Sequence, residues 1–101
     1  MPKLELAPVI LVELEAILQR LLPTYEVWAF GSRVKHQAHS GSDLDLVVRN
    51  PSQLDKPCSQ LPMFKNALEE SNIPILIGVV DWAMIPETFR EEILRGYVVL
   101  L

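Results

Sequence analysis

The sequence predicts an α+β domain in which helices pack on a small mixed β-sheet, with the element order α-β-β-α-β-α. The chain has 101 residues, which suits a single domain over residues 1–101. The first two predicted strands are joined by a loop too short for a helical crossover, so we expect them to be antiparallel. The third strand follows a helix and is expected to run parallel to one of the first two.

The first half of the chain contains one predicted helix and two predicted strands. Residues 9–22 place apolar side chains on one broad face after Pro8, which predicts a helix that ends at Pro23. Residues 25–31 are rich in aromatic and β-branched side chains and alternate Tyr25, Val27 and Ala29 with Glu26, Trp28 and Phe30, while residues 43–49 contain an apolar run. Both patterns are typical of strands.

The second half begins with an irregular stretch and continues with regular elements. Residues 51–62 contain three prolines and are expected to lack regular structure. We predict a helix over residues 62–71, a strand over 73–81 and a helix over 86–95. The apolar tail over residues 97–101 is strand-like, and it suits either an edge strand or a contact surface for a partner.

Composition excludes several classes of protein. The net charge of −4 argues against strong nucleic-acid binding, because such proteins usually present a basic surface. No apolar run approaches the roughly 20 residues of a membrane span, and the amino-terminal stretch lacks the features of a signal peptide. Cys58 is the single cysteine, which excludes an internal disulfide. These features predict a cytoplasmic protein.

The most informative pattern is Gly31-Ser32, then ten residues, then Asp43-Leu44-Asp45. Two acids at alternate positions of a strand point to one face, with Cα atoms about 7 Å apart. They could bind a divalent metal, since Mg²⁺ prefers oxygen ligands, or they could cap a turn. A Gly-Ser turn suits a phosphate, or supplies only a left-handed backbone conformation. Together the two features indicate a metal-dependent nucleotidyl transferase.

Other polar residues are candidates for supporting roles. Asp81 ends the third predicted strand, where it would be a third acid beside the pair, as metal ligand or general base, or else a helix N-cap or a loop acid. Arg33 follows the Gly-Ser turn and could clamp a phosphate, or lie on the surface. With Lys35, His36 and His39 it forms either a small anion site or a solvated loop.

The segments FGSR and SDLDL, at this spacing, resemble the minimal nucleotidyltransferases of the DNA polymerase β superfamily. The resemblance covers the first helix, VWAFGSRV, SDLDLVV, the late VVDW and the closing helix, and it implies the polymerase β palm-like fold. It implies that Gly31 and Ser32 hold the nucleotide phosphates and that Arg33 assists. It also implies an acidic triad that binds one or two Mg²⁺ ions and from which no carboxylate is missing: Asp43, Asp45 and Asp81.

Members of this family are similar to antitoxins encoded beside a small all-helical HEPN protein. Several transfer AMP from ATP to a tyrosine of that partner, which implies the same role, with ATP as donor, in a hetero-oligomer here. The chain is too short for an additional helical domain, so we expect an open cleft that a partner completes. Two alternatives remain: a non-catalytic module that neutralises its partner by stoichiometric contact, and transfer to a small hydroxyl compound such as an aminoglycoside.

Overall fold

The computed structural model describes residues 3–35 and 43–101 of the chain. Its helices and strands follow one another in the order α-β-β-α-β-α-β, and two 3₁₀ turns, Ser32–Val34 and Trp82–Met84, come shortly after the first strand and directly after the third. The helices are α1 (Pro8–Leu21), α2 (Leu61–Glu70) and α3 (Glu87–Leu94). The strands are β1 (Glu26–Phe30), β2 (Leu44–Arg49), β3 (Ile77–Asp81) and β4 (Tyr97–Val99). No described helix has the length and apolar character needed to cross a membrane.

The four strands form one mixed sheet in the order β3-β2-β1-β4. Strand β1 is antiparallel to both β2 and β4, while β3 is parallel to β2. The predicted α+β class and the predicted strand directions are therefore confirmed. The tail forms the edge strand β4, which was one of its two predicted roles. The third strand begins at Ile77, later than the predicted residue 73, because Pro74 cannot donate to a strand ladder.

Helices cover both faces of the sheet. Helices α1 and α2 bury Leu14, Leu18 and Phe64 against one face, where Leu44 and Leu46 of β2 join the same core cluster. On the other face a second cluster consists of Trp28, Val47, Trp82 and Ile93, the last from α3. The two inner strands, β2 and β1, contribute side chains to both clusters.

The alternation along β2 determines which face carries the acids. Leu44, Leu46 and Val48 pack toward α1 and α2, whereas Val47 packs toward α3. Because successive side chains of a strand point to opposite faces, Asp45 lies on the α3 face. The start of β2 therefore presents its acidic side chains away from the larger core cluster.

Candidate active site

The two acids of the Asp-x-Asp pattern lie at the start of β2. Asp43 immediately precedes the strand and is exposed, while Asp45 is half-buried inside it. In the sheet Asp45 is level with Phe30, the last residue of β1, and with Gly78 of β3. The acids are close enough for the charge of Asp43 to act on Asp45. The sequence predicted this pairing correctly.

The Gly-Ser turn packs directly against Asp45. Gly31 follows β1 with φ 83° and ψ −154°, a region of backbone conformation that only glycine adopts readily. A Cβ atom at Gly31 would lie 2.5 Å from Oδ2 of Asp45, so no other residue fits without a shift. The turn predicted to lie near the acids is therefore in contact with one of them.

Residues after Gly31 continue as a 3₁₀ turn. The N–H of Val34 donates to the carbonyl of Gly31 (3.1 Å), and that of Lys35 donates to the carbonyl of Ser32 (3.3 Å). Ser32 is the first residue of the turn, and the first N–H groups of a helical turn have no acceptor within the turn itself. The Gly-Ser turn thus begins at Gly31, which packs against Asp45, and Ser32 follows it as the first residue of the 3₁₀ turn. The phosphate contact of Ser32 stays a prediction.

Arg33 has a structural role that the sequence did not predict. Its side chain is buried, and Nη1 donates a hydrogen bond of 2.7 Å to the carbonyl of Glu5. The backbone N–H of Glu5 in turn donates to the Arg33 carbonyl at 2.7 Å. These two bonds hold the segment before α1 against the Gly-Ser turn, so we do not assign the guanidinium a phosphate contact.

The neighbouring loop was a second candidate anion site. Lys35 forms an exposed ion pair of 3.3 Å with Glu92 on α3. His36 and His39 lie outside the described residues. The contribution of this loop to ligand binding therefore stays a prediction.

Asp81 does not join the acid pair. It is level with Val48, three residues beyond Asp45 and so about 10 Å further along the sheet, and its side chain points to the opposite face. Its Oδ2 accepts a hydrogen bond of 2.7 Å from the N–H of Cys58, and its Oδ1 accepts one of 3.2 Å from Ala83. Asp81 is therefore the cap of the 3₁₀ turn after β3, which was the alternative role, rather than the third acid.

The residue of β3 that does lie beside Asp45 is Gly78, which sequence reasoning missed. A Cβ atom at Gly78 would be 3.3 Å from Oδ1 of Asp45. The sequence alone shows, by alternation along β3, that Gly78 and Val80 share one face and Asp81 lies on the other. Only the pairing with β2 shows that the face of Gly78 is the one that carries Asp45.

Within residues 3–35 and 43–101 no group of three or more His, Cys, Asp or Glu side chains could hold a metal ion.

The electrostatics of the pair favour a cation. Burial raises the pKa of Asp45, and the negative charge of Asp43 raises it further. Two repelling carboxylates at the protein surface are hard oxygen donors of the kind that Mg²⁺ takes, together with waters and substrate phosphates. The residues present therefore fit a divalent ion held by two carboxylates.

An open groove of about 600 Å³ extends from this site. Asp43 and Gly78 lie at its rim, and it continues along the edge strand β3 to Lys65 and Glu69 of α2. Asp43, the exposed acid of the pair, is thus reached from a surface that another molecule can cover.

Comparison with known proteins identifies the family. The family model described as "Polymerase beta, Nucleotidyltransferase" matches residues 13–101. The chain is also 45% identical over 86 residues to a protein of Haemophilus influenzae named "Probable protein adenylyltransferase MntA", an alignment that covers 85% of this chain and 74% of that protein. The chain therefore belongs to the polymerase beta nucleotidyltransferase family and is a nucleotidyltransferase.

Proposed function

We propose that this nucleotidyltransferase transfers AMP from ATP to a hydroxyl, a tyrosine in particular, of a small all-helical HEPN-type partner. In this proposal the chain is one domain over residues 1–101, acts in the cytoplasm, and is the antitoxin of a toxin–antitoxin pair. The name of its relative in Haemophilus influenzae, a protein adenylyltransferase, supports a protein acceptor and the adenylyl group. The observation that carries the proposal is the contact between the Gly31 turn and the Asp45 carboxylate.

The residues of the site divide into two groups. Asp43 and Asp45 would hold Mg²⁺, while Gly31 and Ser32 would contact the nucleotide phosphates through their backbone and hydroxyl groups. When bound, the ion would neutralise phosphate charge near the reacting phosphorus. The left-handed Gly31 lets the backbone approach Asp45 without a side chain, so phosphate and ion can be bound side by side.

The transfer breaks one phosphorus–oxygen bond and forms another. The acceptor hydroxyl oxygen forms a bond to the α-phosphorus of ATP, and the bond from that phosphorus to the oxygen bridging the β-phosphorus breaks. Pyrophosphate leaves with the electron pair, and the hydroxyl proton passes to water. The chain contributes by positioning the two reactants, which is the main part of catalysis in phosphoryl-type transfers.

The open site favours a macromolecular acceptor. Asp43 is exposed, and the groove beside it opens along an edge strand, with Leu76 of that edge 75% exposed. A small substrate in such a groove would keep much of its surface in water, whereas ligand pockets usually bury most of their ligand. A protein acceptor would itself cover the groove and exclude water.

The proposal is tested by labelling. The chain, co-purified with its HEPN-type partner, is incubated with Mg²⁺ and ATP labelled at the α-phosphate. We expect label on the partner, and we expect Asp43→Asn/Asp45→Asn to abolish it. Asp55→Asn is the matched control, because Asp55 is an exposed acid in the turn region after β2. Equal labelling by the double variant and by the control would refute the proposal.

One observation favours a second candidate, in which the chain neutralises its partner by stoichiometric contact. The position beside Asp45 on β3 is Gly78, which brings no carboxylate to the site. If contact alone suffices, the double variant still suppresses partner toxicity in cells although labelling is lost. If transfer is required, suppression and labelling disappear together.

A further inference from the structure

We propose that Gly78 occupies the position of a third metal ligand, so that this chain binds its metal ion through two carboxylates and provides none to the acceptor hydroxyl. The inference rests on the proposed function, in which Asp43 and Asp45 hold the ion. It extends that function by identifying which part of the site is incomplete.

The position is determined by the sheet. Asp45 lies on the central strand β2, with Gly31 after β1 on one side and Gly78 of β3 on the other. A Cβ atom at Gly31 would meet Oδ2, and a Cβ atom at Gly78 would meet Oδ1. Because paired residues of parallel strands share a face, a side chain at Gly78 would stand next to the Asp45 carboxylate.

The two glycines differ in why they lack a side chain. Gly31 has a positive φ and is required by its backbone conformation, whereas Gly78 lies in extended strand backbone that any residue adopts. At Gly78 a Cβ would be 3.3 Å from Oδ1, which a shift of a few tenths of an ångström would accommodate. Glycine weakens a strand, and the backbone conformation at Gly78 does not require it.

No other described side chain takes the third place. Asp81, the acid nearest in sequence, lies on the opposite face and accepts hydrogen bonds from the N–H groups of Cys58 and Ala83. Across the described ranges, 3–35 and 43–101, no set of three potential metal ligands occurs. Within the part of the chain that the structure describes, the pair of acids therefore has no third carboxylate beside it.

The missing carboxylate has a chemical consequence. With two carboxylates from the protein, a bound ion would take its remaining ligands from the donor phosphates and from water. β3 would offer the acceptor hydroxyl no carboxylate as a general base, so its proton would leave to water. A carboxylate introduced by Gly78→Asp would stand where it can serve both the ion and the hydroxyl.

Manganese binding, followed by electron paramagnetic resonance, tests the inference without relying on activity. Free Mn²⁺ is titrated into the wild-type chain, Gly78→Asp and Gly78→Asn, in the absence and presence of a non-hydrolysable ATP analogue. We expect Gly78→Asp to lower the Kd for Mn²⁺ about tenfold or more, since charge count governs affinity at oxygen sites. Gly78→Asn has the same size without the charge and is expected to bind like the wild type.

Further variants keep the possible outcomes distinct. If Gly78→Asp does not fold by circular dichroism, Gly78→Glu and Gly78→Gln form the substitute pair, since the longer side chain places its carboxylate further from Asp45. Equal Mn²⁺ affinity in the charged and neutral members of a pair would overturn the inference. If Asp45→Asn then binds Mn²⁺ more weakly than the wild type, the metal site of the proposed function still stands although the inference about Gly78 is wrong. Retention of full binding in Asp45→Asn would instead remove the proposed function and the inference together.

Discussion

Replacement of Gly31 by alanine is the most direct test of how the turn and the acid are packed. Two penalties are expected from the structure. The backbone at Gly31, with φ 83° and ψ −154°, is in a region that costs a residue with a side chain about 1–3 kcal/mol. In addition, the new Cβ would lie 2.5 Å from Oδ2 of Asp45, so the carboxylate must move to relieve the contact.

These penalties correspond to a measurable loss of stability. At about 2 kcal/mol, the middle of the backbone range, the melting temperature of a domain of this size falls by about 8–16 °C. The displaced carboxylate adds to this loss and is expected to weaken Mn²⁺ binding as well. Thermal unfolding by circular dichroism, with and without Mn²⁺, measures both effects on the same samples.

A second variant and a control separate the two penalties. In Gly31→Ala/Asp45→Ala the contact with the carboxylate is gone and only the backbone penalty remains, so the two substitutions are less destabilising together than their sum. Gly78→Ala is the matched control, because its Cβ would lie 3.3 Å from the same carboxylate on extended backbone. If Gly31→Ala melts within error of Gly78→Ala, the reasoning about the turn is wrong.

Three further predictions concern residues around the site. Asp81→Asn should lower the free energy of unfolding in urea by about 1–3 kcal/mol, because an amide cannot accept hydrogen bonds from both Cys58 and Ala83 through two oxygens. Its Mn²⁺ affinity should stay unchanged, and a loss of Mn²⁺ binding would show that Asp81 is a metal ligand. Arg33→Ala should lower the free energy of unfolding by a similar amount and make the segment around Glu5 more susceptible to proteolysis. Cleavage at the wild-type rate would contradict the structural role of Arg33. The pKa of Asp45 is raised in the folded state by burial and by the neighbouring acid, so the native state binds the proton more tightly than the unfolded one. The stabilising contribution is complete below the unfolded value near 3.8 and is lost as the pH rises through the folded pKa. Without metal, Asp45→Asn should therefore gain stability over the wild type between pH 3.8 and neutrality, and a constant difference in unfolding free energy over that range would contradict the shift.

Local patterns in the chain were enough to predict the order of the first six helices and strands and the acid pair, while the tail that forms β4 was left between two roles. The hydrophobic period distinguishes helices from strands, and the short connection between β1 and β2 requires them to be antiparallel. Asp43 and Asp45 are two residues apart, so their relation depends only on alternation within one strand. The Gly-Ser turn follows the neighbouring antiparallel strand, which brings it back to the start of β2.

Only the tertiary structure decided what stands beside the pair. The register between β2 and β3 joins residues more than 30 positions apart in the sequence, and a change of one residue exchanges the two faces of a strand. That register places Gly78 next to Asp45 and moves Asp81 three positions further, onto the opposite face. Arg33 likewise follows the turn in sequence, yet its side chain is held by the backbone of Glu5, which is distant along the chain. The sequence therefore determined the presence of two acids and a turn, while the non-local pairing of strands determined that a third acid is not among them.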